Sequence, residues 1–273
     1  MNSPGPLEPL TSRFLAFDTS TEGLSVAVTN GSRVWQHDGP GAAQASASLI
    51  PAILQLLADA GLSLATMDAV VFGRGPGAFT GLRTACAVAQ GLALGAGLRV
   101  LPVDTLLAVA EAARFLQLAN LPADSPAEET WVVTALLDAR MDEVYMQRYA
   151  FAQGEWQPLT ACVLIRPEQL QWTDLAPLAD AGLQASPRFL VAGNAFASYP
   201  MRLPALPVGW QRVDAQPSAA ALLRLAPALM QRGQAVEAAQ ALPLYIRDKV
   251  ALTTEERAQA KAAAAPVASP PRP

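Results

Sequence analysis

A glycine-rich segment, GRGPGAFTGLR at residues 73–83, contains the residue types that bind phosphate in many proteins. A P-loop continues from its glycines into Gly-Lys-Ser/Thr, but this segment contains no lysine. The dinucleotide pattern G-x-G-x-x-A is met from Gly73 to Ala78, yet the acidic residue that should follow about 20 positions later is absent. We therefore expect the glycines to shape the backbone, with Thr80 capping a helix that begins at Gly81.

Two aspartates end similar segments in the two halves of the chain, Asp18 in FDTST and Asp138 in LDARMDE. Such carboxylates could hold Mg²⁺ against a nucleotide phosphate, or each could accept backbone N–H groups in its own turn. Arg140 and Met141 stand where a phosphate loop would need glycine or a hydroxyl group. The sequence therefore predicts at most a vestigial nucleotide site, made of Asp18, Thr19, Asp138 and Gly193.

The chain contains one histidine, His37, and two cysteines, Cys86 and Cys162. A paired-histidine metal site or a nucleophile activated by histidine needs more partners than these. We expect His37 to be a solvent-facing residue at a strand edge. The cysteines have no metal-binding or redox spacing, which indicates a reducing compartment. These residues thus predict no metal site and no histidine-activated nucleophile, and we expect no cofactor.

The composition of the 273 residues, 52% hydrophobic and 15% charged, is typical of a globular chain with a large core. The net charge of −4 gives no general attraction to nucleic acid. The most apolar run, between Arg83 and Arg99, is shorter than the roughly 20 residues of a membrane span. Residues 1–12 lack the features of a signal peptide. We expect a cytoplasmic protein with no membrane contact.

Hydrophobic periodicity predicts alternating strands and helices. In the first half we expect strands at 13–19, 24–29, 33–37, 69–73 and 98–103. Helices are expected at 44–60, ending at Gly61, at 81–95, and after a capping Asp104 to about 118. In the second half, strands are expected at 131–137, 143–149 and 188–192, and a helix capped by Ser218 at 218–232.

The strand–Asp–turn–strand pattern occurs at the start of each half, which predicts an internal duplication and two lobes. A Pro-, Asp- and Glu-rich stretch separates the halves. The predicted organisation is a flexible leader at 1–12, an N-terminal lobe at 13–119, a linker at 120–130, a C-terminal lobe at 131–257 and a disordered Ala/Pro-rich tail at 258–273.

The helix at 81–95 carries small residues on more than one face, so other backbones must approach it closely. From the residues alone, packing against the 44–60 helix and use as an association surface are equally good interpretations.

Five segments together resemble the bacterial TsaB family, formerly called YeaZ: FDTSTEGLSVAV, GRGPGAFTGLRTACAVAQGLALG, LLDARMDEVYMQRY, VAGNA and PLYIRDKVA. The resemblance runs from about residue 14 to residue 251. It implies an α/β fold of the acetate/sugar kinase–Hsp70–actin type, with two lobes each based on an RNase H-like sheet. The family is a paralogue of the catalytic subunit TsaD without its metal-binding histidines. Many relatives carry a histidine where this chain has Gln44-Ala45-Ser46.

The resemblance also implies a non-catalytic subunit. With TsaD and the ATPase TsaE, such a subunit supports threonylcarbamoyl transfer to the adenosine beside the anticodon of ANN-decoding tRNAs, and meets tRNA only through the complex. The family contact with TsaD uses helices that correspond to 44–60 and 81–95, which favours the association interpretation. The same helices are a candidate homodimer surface, and the sequence leaves self-association open. The expected interface residues are Leu49, Ile53, Gly75, Gly77, Phe79, Thr80, Arg83, Cys86, Ala89, Gln90 and Ala93.

Two other functions remain open from the sequence. An ATP-dependent phosphotransferase of the sugar-kinase/actin type would bind nucleotide between the lobes near Asp18. A metallopeptidase is the weakest alternative, because one histidine cannot build its site.

Overall fold

Two mixed sheets form the frame of the structure, a computed structural model that describes residues 12–41, 44–121, 130–172 and 187–247. The first sheet has the strand order β3-β2-β1-β4-β5. Strands β1 to β3 are antiparallel, and β4 and β5 run parallel to β1. Their bounds are β1 Phe14–Asp18, β2 Gly23–Thr29, β3 Val34–Pro40, β4 Ala69–Gly75 and β5 Arg99–Asp104. His37 lies exposed on the edge strand β3, as predicted.

The second sheet repeats this arrangement, with the order β11-β10-β6-β7-β8 and β9 also paired to β7. Strands β6 to β8 are antiparallel, and β10 and β11 run parallel to β6. The bounds are β6 Trp131–Arg140, β7 Glu143–Ala152, β8 Glu155–Pro158, β9 Val163–Ile165, β10 Arg188–Gly193 and β11 Gln211–Val213. The predicted duplication is therefore confirmed, and the fold is the two-lobed acetate/sugar kinase–Hsp70–actin type.

Five α-helices accompany the sheets in the described ranges: α1 Ala45–Ala60, α2 Phe79–Ala96, α3 Thr105–Leu118, α4 Ala195–Ser198 and α5 Ala219–Gln231. Helix α1 buries Leu49 and Ile53 and ends at Gly61, whose left-handed backbone (φ 64°) closes the last turn as predicted. Helix α5 begins after Ser218, whose hydroxyl oxygen accepts the N–H of Ala221 at 3.2 Å. This confirms the predicted cap.

One predicted helix cap is wrong, and a second is correct in position but lacks the capping hydrogen bond. Helix α2 begins at Phe79 rather than Gly81, so Thr80 lies inside the first turn and caps nothing. Asp104 does precede α3, but its carboxylate makes no capping hydrogen bond and instead accepts Nε–H of Arg74 at 2.6 Å. The ion pair with Arg74, 30 residues away in sequence, therefore replaces a capping bond to the backbone of α3.

One hydrophobic core joins the two sheets through α3 and α5. Helix α3 follows the first sheet in sequence but packs on β6 and β10, whereas α5 follows the second sheet and packs on β1 and β2. The N–H of Ala219 donates to the hydroxyl of Ser25 at 2.9 Å, which ties the start of α5 to the first sheet. Each sheet is thus covered by a helix from the other half of the chain.

The chain returns to the first lobe after α5. Val236 pairs with Val100 at the outer edge of β5, and the N–H of Leu244 donates to the carbonyl of Arg74 at 2.7 Å. The predicted C-terminal lobe therefore contains a segment, residues 235–247, that packs on the N-terminal one. Most of the predicted leader and linker, and the whole of the predicted tail, lie outside the described residues. No helix in the described ranges is long and apolar enough to cross a membrane.

Candidate functional site

Asp18 ends β1 inside the protein, with 2% of its surface exposed. Its Oδ1 accepts the N–H and the hydroxyl of Ser20, at 2.8 Å and 2.6 Å, while Oδ2 has no hydrogen-bond partner among the described residues. A Cβ atom on Gly73 of β4 would lie 1.8 Å from Oδ2, so only glycine fits there. Burial raises the pKa of Asp18, and the hydrogen bonds from Ser20 offset only part of this. The Asp18 carboxyl group is therefore enclosed by the protein rather than exposed to the cleft.

The glycine-rich loop is filled by the β1–β2 turn of the same chain. A Cβ atom would lie 2.4 Å from the carbonyl oxygen of Ser20 if placed on Gly77, and 1.8 Å from that of Thr19 if placed on Gly81. The N–H of Ala78 donates to the Ser20 carbonyl at 2.7 Å, and the Thr19 hydroxyl donates to the Gly81 carbonyl at 2.8 Å. The N–H of Ala78, a donor that could contact a phosphate, is thus used internally, and the β1–β2 turn occupies the space beside Gly77 and Gly81.

Asp138, the counterpart of Asp18 in β6, is saturated with hydrogen bonds. Its Oδ1 accepts from the Arg140 N–H at 2.8 Å and the Tyr199 hydroxyl at 2.9 Å, and its Oδ2 accepts from the Ser198 hydroxyl at 3.0 Å. Burial and, secondarily, the bond to Asp138 raise the pKa of Tyr199 to about 12. The carboxylate therefore organises its own turn, which was the simpler of the two predicted roles.

The turn after Asp138 closes the cleft between the lobes. Arg140, Met141 and Asp142 all have positive φ angles, between 54° and 60°. The Arg140 guanidinium forms an ion pair with Glu22 in the β1–β2 turn of the other lobe. Arg247 donates to the carbonyl of Ala139 at 3.1 Å from the opposite side. The two turns that would hold phosphates in a nucleotide site hold each other instead.

Two spaces are bordered by both turns, and the smaller is about 100 Å³, lined by Ser20, Asp138 and Asn194 among others. Ligand pockets usually measure about 300–1,000 Å³. A larger space of about 580 Å³ lies beside Glu22, where the charged groups on the described wall are three carboxylates and one guanidinium. The net negative charge of these groups repels phosphate. Of the four predicted nucleotide-site residues only Asp138 lines either space, and Gly193 lies tightly against β6.

Most of the predicted interface residues are buried in the chain's own core. Six of them offer no surface to a partner, and the assignment is corrected for these. Gly75 is buried within β4, and the other five pack in the core over the first sheet: Leu49, Ile53, Cys86, Ala89 and Ala93. Thr80 and Arg83 are exposed, and Gly77, Phe79 and Gln90 are partly exposed. Gln90 donates to the carbonyl of Ala241 at 2.9 Å, and Arg83 stacks 3.8 Å from the centre of the Phe79 ring.

The side of α1 and α2 that faces away from the sheet is apolar. We call it the outer α1–α2 face and define it by Ala47, Ile50, Leu54, Ala87, Gly91 and Leu94, all exposed. The exposed fractions reach 43% for Ile50, 55% for Leu54 and 79% for Leu94. Asp59 and Arg83 are the only charged residues in the two helices. A Cβ atom placed on Gly91 would meet no atom of the described residues within 4 Å.

The partner contact predicted from the sequence lies on the neighbouring, core-facing stripe and not on this face. Ile50 and Leu54 have the same helical spacing as Leu49 and Ile53. A second apolar stripe beside the core-facing one is visible in the sequence and is the pattern that indicates an exposed apolar face.

Metal binding has no evident place in the described part of the chain. No group of three or more His, Cys, Asp and Glu side chains is arranged there to hold a metal ion.

Comparison with known sequences gives consistent matches along most of the chain. The family model described as "TsaD: tRNA N6-adenosine threonylcarbamoyltransferase" matches residues 40–254. The tRNA threonylcarbamoyladenosine biosynthesis protein TsaB of Haemophilus influenzae is 33% identical, over 86% of this chain and 94% of that protein. The protein of the same name from Escherichia coli is 31% identical, over 88% and 96% respectively.

Comparison with solved structures gives the same result. YeaZ from Pseudomonas aeruginosa is 37% identical and superposes with a TM-score of 0.70, covering 86% of this chain and 99% of that one. A second structure, described as an uncharacterised protein from the same organism with similarity to the peptidase YeaZ, is 38% identical with a TM-score of 0.71.

Proposed function

The chain belongs to the TsaB/YeaZ family, and from this membership we propose that it is a non-catalytic scaffold subunit in the biosynthesis of threonylcarbamoyladenosine in tRNA. In this proposal it binds a TsaD-type catalytic subunit in the cytoplasm and, with it, a TsaE-type ATPase. The assembly transfers the threonylcarbamoyl group to the adenosine beside the anticodon of ANN-decoding tRNAs. The chain meets tRNA only through the complex, and two copies associate through the same face when the catalytic subunit is absent.

The observation that carries the proposal is the outer α1–α2 face. Glycine inside a helix lowers its stability by about 1 kcal/mol relative to alanine, so the presence of glycine at position 91 requires an explanation. Nothing among the described residues supplies one, since a Cβ atom at Gly91 would meet open space. Close approach of another backbone explains the glycine, and Leu54 and Leu94 beside it supply apolar area for burial.

The interlobe cleft supports the non-catalytic part of the proposal. Phosphotransfer would need nucleotide between the lobes, where the β1–β2 turn fills the glycine loop, one space measures about 100 Å³, and the larger one of about 580 Å³ carries three carboxylates on its described wall. Asp18 is buried with a raised pKa. His37 lies exposed on β3 rather than in the cleft.

Reconstitution of tRNA modification tests the proposal directly. The TsaD-type and TsaE-type proteins, the enzyme that makes the threonylcarbamoyl adenylate and an ANN-decoding tRNA are combined with and without this chain. Omission should abolish turnover. Unchanged modification without the chain would reject the scaffold function.

A surface variant tests the assigned face. Leu94→Arg should weaken co-purification with the TsaD-type subunit by at least about tenfold, because it places a charge in an apolar contact. Met201→Arg is the matched control, since Met201 is 92% exposed on the second lobe. Ala89→Arg is unsuitable because Ala89 is fully buried. If Leu94→Arg bound the partner as well as Met201→Arg does, the outer α1–α2 face would not be the interface.

A further inference from the structure

A cavity of about 760 Å³ lies at the end of the molecule opposite Asp18, where β1 begins. It is bordered by Phe14 of β1, by α3 and α5, and by Trp156 of β8. Its volume is in the range of small-molecule sites. None of the functions discussed above uses it.

A buried carboxylate organises the polar wall of this cavity. Glu111 of α3 is 2% exposed. It accepts from Nε and Nη2 of Arg114, at 3.0 Å and 3.2 Å, from Nε of Arg224 at 2.8 Å, and from the indole N–H of Trp156 at 2.9 Å. One guanidinium would neutralise Glu111, so the second is surplus to the ion pair. Arg232, also on the wall, has its own partner in Glu155 at 2.7 Å. The described wall therefore carries one unneutralised positive charge.

The surplus guanidinium is held in a fixed orientation. Arg224 lies 4.0 Å from the centre of the Phe115 ring, and Arg114 lies 4.0 Å from that of Phe151. Among the hydrogen bonds of the described residues, Arg224 uses only Nε, so its Nη1 and Nη2 groups face no acceptor there. A planar guanidinium with free N–H groups is suited to a carboxylate.

The rest of the wall is largely apolar, with Leu107, Leu223, Pro227 and Ala228 among its residues. An apolar wall beside a single spare positive charge fits a ligand with one negative charge and a hydrophobic body. We propose that this cavity is a binding site for a small apolar monocarboxylate, with Arg224 as the residue that recognises the carboxylate.

Calorimetric titration of the full chain with octanoate tests the site, with octanamide as the uncharged probe of the same shape. Octanoate should bind with a dissociation constant below about 1 mM, and octanamide at least about tenfold more weakly. Arg224→Gln should remove this difference by weakening octanoate alone. Arg212→Gln, at an exposed arginine paired with Asp214, should change neither titration.

A second variant separates ligand binding from loss of the Glu111 ion pair. Ala228→Phe fills part of the cavity and keeps Glu111, Arg114, Arg224 and Trp156 in the sequence, so it should abolish binding of both probes, and its melting temperature shows whether the fold is kept. Absence of octanoate binding to the full chain, equal binding of the two probes, or wild-type octanoate affinity in either cavity variant would overturn the proposal.

Discussion

At the end of β1, Asp18 occupies the position where the sequence allows a magnesium-binding carboxylate, but its surroundings are those of a core residue. Its place at a strand end and its bonds to the following turn could be predicted from FDTST alone. The closeness of Gly73 and the enclosure by the α2 start could not, because these contacts join residues more than 50 positions apart. At the scale of single residues, contacts with residues distant in sequence therefore determine how deeply Asp18 is buried.

Asp18→Asn should change the pH dependence of stability. Burial raises the pKa of Asp18 above its ordinary value of 3.8, so the folded protein holds this proton more tightly than the unfolded chain. The wild-type free energy of unfolding should therefore fall as pH rises above that value, by at most about 1.4 kcal/mol per pH unit from this group. The variant keeps an oxygen for Ser20 but cannot ionise, and should lack this decline. Urea unfolding of both proteins from roughly pH 4 to pH 8 measures the difference. Parallel profiles would contradict it.

At the scale of elements, the predicted strands and helices of the described residues are present, but their ends and faces follow tertiary contacts. Helix α2 starts two residues early because Ala78 bonds to the β1–β2 turn. Helix α1 has two apolar stripes with the same i, i+4 spacing. Leu49 and Ile53 form the core-facing one only because the first sheet packs on that side. Leu49 and Ile53, two of the predicted interface residues, are thus core residues, and the outer α1–α2 face is our proposal in their place.

Gly91→Ala should separate folding of α2 from its use in association. The added methyl group meets open space, so the isolated protein should gain about 0.5–1 kcal/mol of stability from helix propensity. The same methyl group should weaken association with the TsaD-type subunit, because it prevents close backbone approach. Urea unfolding and calorimetric titration of the partner measure the two effects. A variant that is stabilised and still binds like wild type would show that nothing packs closely on Gly91.

At the scale of the whole molecule, the duplication could be predicted from the repeated strand–Asp–turn–strand pattern, since both copies are local. The exchange of α3 and α5 between the sheets could not be predicted, because the apolar face of each helix would fit the sheet of its own lobe equally well. The cavity beside Glu111 depends on this exchange, since α3, α5 and β8 all supply its wall. For that reason no local motif marks it.

Leu106→Ala in α3 should destabilise both lobes together. Leu106 is fully buried in the core that joins the sheets, so its truncation should cost about 2–5 kcal/mol. Because the lobes share this core, tryptophan fluorescence and far-ultraviolet circular dichroism should report one coincident urea transition. Two separated transitions would indicate that the lobes unfold independently.

The pairing of Val236 with the outer edge of β5 has a consequence for synthesis on the ribosome. The first sheet emerges with that edge unpaired, and its inner face stays uncovered until α5 has also been made. Unpaired strand edges and uncovered apolar faces make nascent chains prone to aggregation. We therefore expect the N-terminal half to be prone to aggregation until residues 219–247 have left the exit tunnel. A premature stop before Val236 should yield an insoluble fragment rather than a folded half-protein.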